Sequence, residues 1–191
     1  MMDPSATPRV SGMRSFFRGA RTATTLLTRI PLPPAAYSAA DWRWAIAWLP
    51  VVGAGIGCVL AGVWVVARPV GATPAAVIVL VASTFLTGAL HEDGLADTAD
   101  ALGGAHTKER IFEILKDSRV GAFGAIALAL SILLRVTLLA RIGDGAGVAL
   151  VMVHSLARLS PPWMLAVLPY VTPLDQARNR AVTGAGWVQT V

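Results

Sequence analysis

The feature that most constrains this chain is a run of 24 residues, Trp44 to Ala67, that carries no charge. A bilayer hydrocarbon core of ~30 Å is crossed by about 20 helical residues, because a helix rises 1.5 Å per residue and satisfies its backbone polar groups internally. Composition points the same way: 55% of the residues are hydrophobic and only 14% are charged, with a mean hydropathy of +0.63. A soluble domain carries roughly a quarter charged residues. The pattern predicts an all-α, polytopic integral membrane bundle.

Three more apolar stretches follow the first: about Ala72 to Leu90, Val120 to Ala140 and about Ala146 to Tyr170. They predict about four transmembrane helices, with a kink in the last at Pro161-Pro162. Gly53, Gly55, Gly57 and Gly62 predict a small-residue face for close helix packing. Trp42, Trp44 and Trp48 suit an interfacial belt. From Met13 to Ile30, Phe16, Phe17, Leu26, Leu27 and Ile30 mix with arginines, and Arg14, Arg18 and Arg21 share one helical face. That predicts a helix lying at the membrane surface, ended by Pro31, Pro33 and Pro34. The same arginines interrupt any signal-peptide core. Residues 1–12 are expected to be disordered, and 13–175 to form a single membrane-embedded catalytic domain.

The net charge of +5 is explained by arginines flanking spans. No basic stripe with interleaved aromatics is present, so no nucleic-acid partner is expected. Six arginines lie in residues 1–43, whereas the loops after the first and third spans carry only Arg68 and Arg141. Four spans with that bias place the N-terminus and the polar segment 91–119 on the cytoplasmic side. The expected location is therefore a cell inner membrane, multi-pass. The lone Cys58 lies in an apolar run and reads as a small buried hydrophobe. A homo-oligomer is compatible with these spans.

Seven of the eleven acidic residues fall between positions 92 and 117. The acidic run follows the second span directly and is expected to continue its helix past His91, where Asp93, Asp97 and Asp100 recur at i, i+4 and i+7 on one face. Like charges stacked this way repel. Hard divalent cations with carboxylate oxygens as ligands relieve that repulsion, and Mg²⁺ is typically held by a few carboxylates plus substrate phosphates. A solvated acidic loop helix is the plainer alternative. A second cluster, Lys116-Asp117-Ser118-Arg119 followed by Gly121 and Gly124, adds another carboxylate beside two cations and a hydroxyl. Carboxylates for metal with Lys and Arg for phosphate suit phosphoryl transfer. The two clusters are expected to meet as an acidic helical hairpin turned near Gly103-Gly104. Within the spans, Arg135 is expected to snorkel to the interface. Arg158, one turn after His154, is expected to pair with the acidic cluster or a substrate phosphate.

The string from His91 to Gly104, His-Glu-Asp-Gly-Leu-Ala-Asp-Thr-Ala-Asp-Ala-Leu-Gly-Gly, followed by Glu113-Ile-Leu-Lys-Asp-Ser-Arg-Val-Gly-Ala-Phe-Gly124, closely resembles the signature of the cobalamin synthase family, the adenosylcobinamide-GDP ribazoletransferases. Thr28-Arg29-Ile30-Pro31 is similar to that family's start, and the resemblance covers roughly residues 14 to 175. It implies a Mg²⁺-dependent membrane enzyme that joins adenosylcobinamide-GDP to α-ribazole or its 5′-phosphate and releases GMP. On that implication, Asp93, Asp97 and Asp117 hold one or two Mg²⁺ with Glu92 in support. Asp100 is the base that takes the ribazole proton, or alternatively a metal ligand. Lys116, Arg119 and Arg158 clamp phosphates, and His91 and Ser118 join Arg158 on the substrate. Family members generally continue with more hydrophobic sequence past Gly184-Ala185-Gly186-Trp187, so residues 176–191 are expected to be a shortened tail.

Two other classes remain open on the residues alone. One is a divalent-cation transporter, against which the acidic residues lie at a span boundary rather than mid-membrane. The other is a CDP-alcohol phosphotransferase, which uses clustered aspartates on two helices with a different spacing.

Overall fold

The computed structural model describes residues 12–33 and 38–168. The expected disorder of 1–12, apart from Gly12, and the tail 176–191 lie outside them. The described residues are helical, without a strand. They belong to two compact units, one of residues up to 54 together with those from 154 onward, the other of residues 55–153.

In the first unit, α1 (Gly12–Leu27) precedes α2 (Ala39–Ala67), whose first half belongs here. Ser38 and Asp41 start α2 with a reciprocal cap: the Ser38 N–H donates to Asp41 Oδ2 at 2.8 Å, and the Asp41 N–H donates to Ser38 Oγ at 3.2 Å. Asp41 is fully buried and also meets Arg18 Nε at 3.3 Å. One arginine of the expected surface-facing stripe is therefore spent on holding α1 to the start of α2. Phe16 packs edge-on against Trp44 at 5.0 Å, and Trp48 Nε1 donates to the Phe16 carbonyl at 3.1 Å. Two of the three tryptophans expected in an interfacial belt are thus packed on α1.

The last described part of the chain also belongs to this unit. α7 (Ala146–Leu156) ends here, a 3-10 turn at Ala157–Leu159 follows, and α8 (Ser160–Val167) comes next. The break falls just before Pro161-Pro162 rather than at them. The prolines lack the N–H groups that would bond the carbonyls of residues 157 and 158, so the turn preceding them tightens.

The second unit holds the end of α2, then α3 (Ala72–Thr87), α4 (Leu90–Gly104), α5 (Lys108–Ile114), α6 (Ala122–Ile142) and the start of α7. Both α3 and α4 pack on α6. The expected straight continuation of the second span into the acidic segment is corrected here. Gly88 (φ 67°) and Ala89 (φ 59°) adopt left-handed conformations, the Ala89 N–H closes on the Thr84 carbonyl at 3.0 Å, and α4 leaves α3 at 91°. Such a closure ends a helix by satisfying its last carbonyls. At 16 residues, α3 is about 24 Å long, short of a hydrocarbon core by itself.

Two helical stretches among the described residues are long and apolar enough to cross a membrane, Asp41–Val70 and Ala122–Val167, with α3 and its bent partner a third if they count as one. The protein is a helical membrane protein. The second stretch holds most of the third expected span and the described part of the fourth through Val167, separated where Gly143 (φ 62°) ends α6.

Candidate active site

The acidic segment is organised by its packing on α6. Asp100 is 9% exposed. Its Oδ2 accepts the Gly121 N–H at 2.7 Å and its Oδ1 accepts the Gly124 N–H at 2.8 Å. Gly121 is the N-cap of α6, and no side chain of its own caps that end. The first N–H groups of a helix have no partner within it, and a carboxylate at that end is favoured by the helix dipole. Close approach requires glycine: a Cβ on Gly121 would lie 2.5 Å from Asp100 Oδ1, and one on Gly124 would collide with Oδ2 and approach the Ala96 carbonyl to 3.0 Å. Further along, the Phe123 ring sits on Gly103, whose Cβ would come within 2.5 Å of the ring.

This geometry is at odds with Asp100 as the base. Both of its oxygens already accept amide protons at the α4–α6 interface. The shared carboxylate face read from the 93–97–100 spacing is therefore divided: Asp93 is exposed and Asp97 half-buried, while Asp100 is turned into the packing.

At the other end of α4, Glu92 Oε1 accepts from Arg135 Nη1 at 2.9 Å. Arg135, expected to snorkel, has a specific partner on α4. It reaches across to α4, and Glu92 is drawn away from a supporting metal role. Glu92 Oε2 is buried without a hydrogen-bond partner among the described residues. So α4 is fastened to α6 near both ends, by an ion pair and by a carboxylate on two amides.

The second arm lies between α5 and α6. The Asp117 N–H donates to the Ile114 carbonyl at 3.0 Å. Its carboxylate accepts from the Arg119 backbone N–H at 3.1 Å and from the Arg119 guanidinium at 2.7 Å. These hydrogen bonds from the Arg119 side chain and backbone hold the Asp117 carboxyl down at about 2. Lys116, Ser118 and Arg119 are exposed, as is His91 in the first turn of α4. Arg158 lies in the first unit, in the 3-10 turn Ala157–Leu159, where it is 6% exposed.

Among the described residues, no three His, Cys, Asp or Glu side chains converge on one point as a metal site would require. The donors of α4 nevertheless suit a hard cation. Partial burial, and then the charges of Asp93 and Asp100, push the Asp97 carboxyl above its ordinary range. That is the repulsion a divalent ion relieves, and two carboxylates with substrate phosphates suffice for Mg²⁺.

The cobalamin-5-phosphate synthase family model matches residues 19–190. The chain belongs to the cobalamin-5-phosphate synthase family. Among similar proteins of this family, one from Bradyrhizobium diazoefficiens named adenosylcobinamide-GDP ribazoletransferase is 39% identical over 174 residues, covering 87% of this chain and 66% of its own. One of the same name from Ralstonia pickettii is 39% identical and covers 88% of this chain and 68% of its own. The chain spans about two thirds of the length of these curated relatives. No solved structure matches it.

The glycines that admit Asp100 were visible in the sequence only as small residues near α6. The Glu92 partner had a signal, an arginine 14 residues into α6 and well inside its apolar run, but not an address.

Proposed function

We propose that this chain carries the catalytic core of an adenosylcobinamide-GDP ribazoletransferase: it joins adenosylcobinamide-GDP to α-ribazole or its 5′-phosphate, with Mg²⁺, and releases GMP. The observation that carries this reading is the Asp100 contact with Gly121 and Gly124. It ties α4, which bears Asp93 and Asp97, to the end of α6 that the Lys116–Arg119 arm leads into, in a chain that matches the family over nearly its whole length.

Asp93 and Asp97, free on α4, would hold Mg²⁺ together with Asp117 and the substrate diphosphate. The bound metal would offset charge on the diphosphate and on the leaving GMP phosphate. A ribazole hydroxyl forms the new P–O bond at the phosphorus attached to cobinamide. The P–O bond to the bridging oxygen breaks, and that oxygen leaves with its electron pair on the GMP phosphate. The hydroxyl proton would pass to whichever carboxylate oxygen of the Asp93–Asp97 face the metal leaves free, and that oxygen must come within hydrogen-bond reach of the attacking hydroxyl. Lys116 and Arg119 meet the phosphates, while His91 and Ser118 border them. The exposed Asp117–Arg119 pair is a weak tie, so Arg119 exchanges Asp117 for a phosphate at little cost. The arginine bias of residues 1–43 supports a cytoplasmic site in a cell inner membrane.

The test is a membrane-fraction assay with adenosylcobinamide-GDP, α-ribazole and Mg²⁺, followed by GMP release. Asp97→Asn should remove at least 100-fold of that rate, on the order expected for an acid–base or metal-holding group, while the protein still inserts. Near-normal GMP release by Asp97→Asn would sink the site assignment. CMP release from a CDP-alcohol, or divalent-ion flux without GMP, would sink the reaction.

A further inference from the structure

We propose that Asp100 is a positioning residue: by capping α6 from α4, it fixes the 117–121 arm against Asp93 and Asp97 and thereby sets how tightly the site takes Mg²⁺. This rests on the function proposed above.

An N-terminal helix cap is normally supplied by the residue that begins the helix. Here it comes from 21 residues upstream, on a different helix. Gly121 is the N-cap of α6, so its N–H and that of Gly124, three residues on, are the two donors that a reciprocal capping box satisfies in one helix. One carboxylate takes both. The contact therefore does more than finish a helix end. It sets the height of α6 against α4, with little slack, because both glycines are tight against the carboxylate.

The consequence for the site follows from chain length. Asp117 is four residues before Gly121, so its backbone cannot stray more than about 14 Å from that anchor. Asp97 and Asp93 precede Asp100 by three and seven residues of helix, about 4.5 and 10.5 Å along its axis. Anchoring Gly121 to Asp100 thus limits how far the Asp117 carboxylate can stray from both. Without the anchor, α4 keeps the Phe123–Gly103 contact and the Glu92–Arg135 pair farther along α6, but the start of α6 and the arm before it lose their hydrogen-bonded tie to α4, and more of the ordering of the ligands falls to the metal itself.

Asp100→Asn keeps the size and removes one acceptor, setting an NH₂ group against an amide N–H. Gly124→Ala leaves the carboxylate intact and pushes it out of place. The positioning role predicts the same phenotype for both. The Mg²⁺ concentration for half-maximal GMP release should rise roughly tenfold, most of kcat should return at saturating Mg²⁺, and the pH profile should keep its shape. A base would behave otherwise: Asp100→Asn would lose kcat by about 10²–10⁴-fold at every Mg²⁺ concentration, and Gly124→Ala would not. That result would overturn the proposal.

A second measurement needs no activity. Spin labels at Thr98→Cys on α4 and Val120→Cys beside the anchor, both exposed, in a Cys58→Ala background, should give a narrow distance distribution. It should broaden in Asp100→Asn and in Gly124→Ala, and narrow again with Mg²⁺. An unchanged narrow distribution in both variants would overturn the proposal, whatever reaction the protein performs. Should Asp100→Asn fail to insert, Gly124→Ala decides by the same measurement.

Discussion

Of the four glycines of α2 expected to form a packing face, the structure uses two. A Cβ on Gly57 would lie 2.5 Å from Val151 Cα and 2.7 Å from the Leu150 carbonyl oxygen. These are backbone atoms of α7 and cannot rotate away. Carbon–carbon contacts are comfortable at about 3.5–4.0 Å, so Gly57→Ala must part the two helices by about 1 Å. Forcing a methyl into packed structure costs about 1–3 kcal/mol. Parting by that distance also forfeits roughly a quarter to a half of each contact's attraction along the seam. Against this stands the better helix propensity of alanine, about 1 kcal/mol. The net expectation is a loss of up to about 2 kcal/mol from these two terms, and the contact attraction forfeited along the seam adds to it.

Gly55 and Gly62 supply the controls. A Cβ at either would have nothing within 4 Å, so Gly55→Ala and Gly62→Ala should be neutral or stabilising by up to about 1 kcal/mol. Reversible denaturation in detergent–lipid bicelles, followed by circular dichroism, measures all three. If Gly57→Ala proved as stable as Gly62→Ala, the backbone contact between α2 and α7 would be refuted as a stabilising feature.

Removing Arg135 should expose the cost of the Glu92 tie. Arg135→Met leaves Glu92 Oε1 without its donor beside an Oε2 that has none, a loss of about 1–3 kcal/mol that Glu92→Gln in the same chain should partly restore. Additive losses in the double variant would rule the pair out as coupled. Acidity should separate Asp97 from Asp117. The folded chain holds the Asp97 proton more tightly than the unfolded chain does, so metal-free stability falls as pH rises through the Asp97 pKa. Mg²⁺ should restore it at neutral pH, and Asp97→Asn should show neither the fall nor the restoration in melting temperature. Asp117 has the opposite sign: its contribution is present above its unfolded pKa and is lost only as pH falls through about 2. A fall in metal-free melting temperature with rising pH that survives Asp97→Asn unchanged would contradict its assignment to Asp97.

The acidic segment shows where sequence reading succeeded and where it stopped. Its two arms, its separation from the apolar stretches and its helical character through Gly104 were all legible, because each depends on residues close in sequence. The assumption that failed was a straight helix through residues 88–90. Gly88 offered a hint of an ending there, but Ala89 carries no signal for a left-handed conformation, and its strain is sustained by the turn around it. The common face of Asp93, Asp97 and Asp100 was a correct statement about helical spacing. It could not say that α6 would cover one edge of that face and take Asp100 with it.

By itself, the sequence determined that the chain is a helical membrane protein and that its carboxylates stand in two arms beside apolar stretches. Apolar run length and helical period decide those matters locally. Only the tertiary structure decided which carboxylates are available for chemistry. Glu92 is spent on Arg135, 43 residues away, and Asp100 on the amides of Gly121 and Gly124. Those choices depend on which helix lies alongside and how closely its glycines let it approach. What remains free, Asp93 and Asp97 on α4, is what two fastenings to α6 leave uncovered.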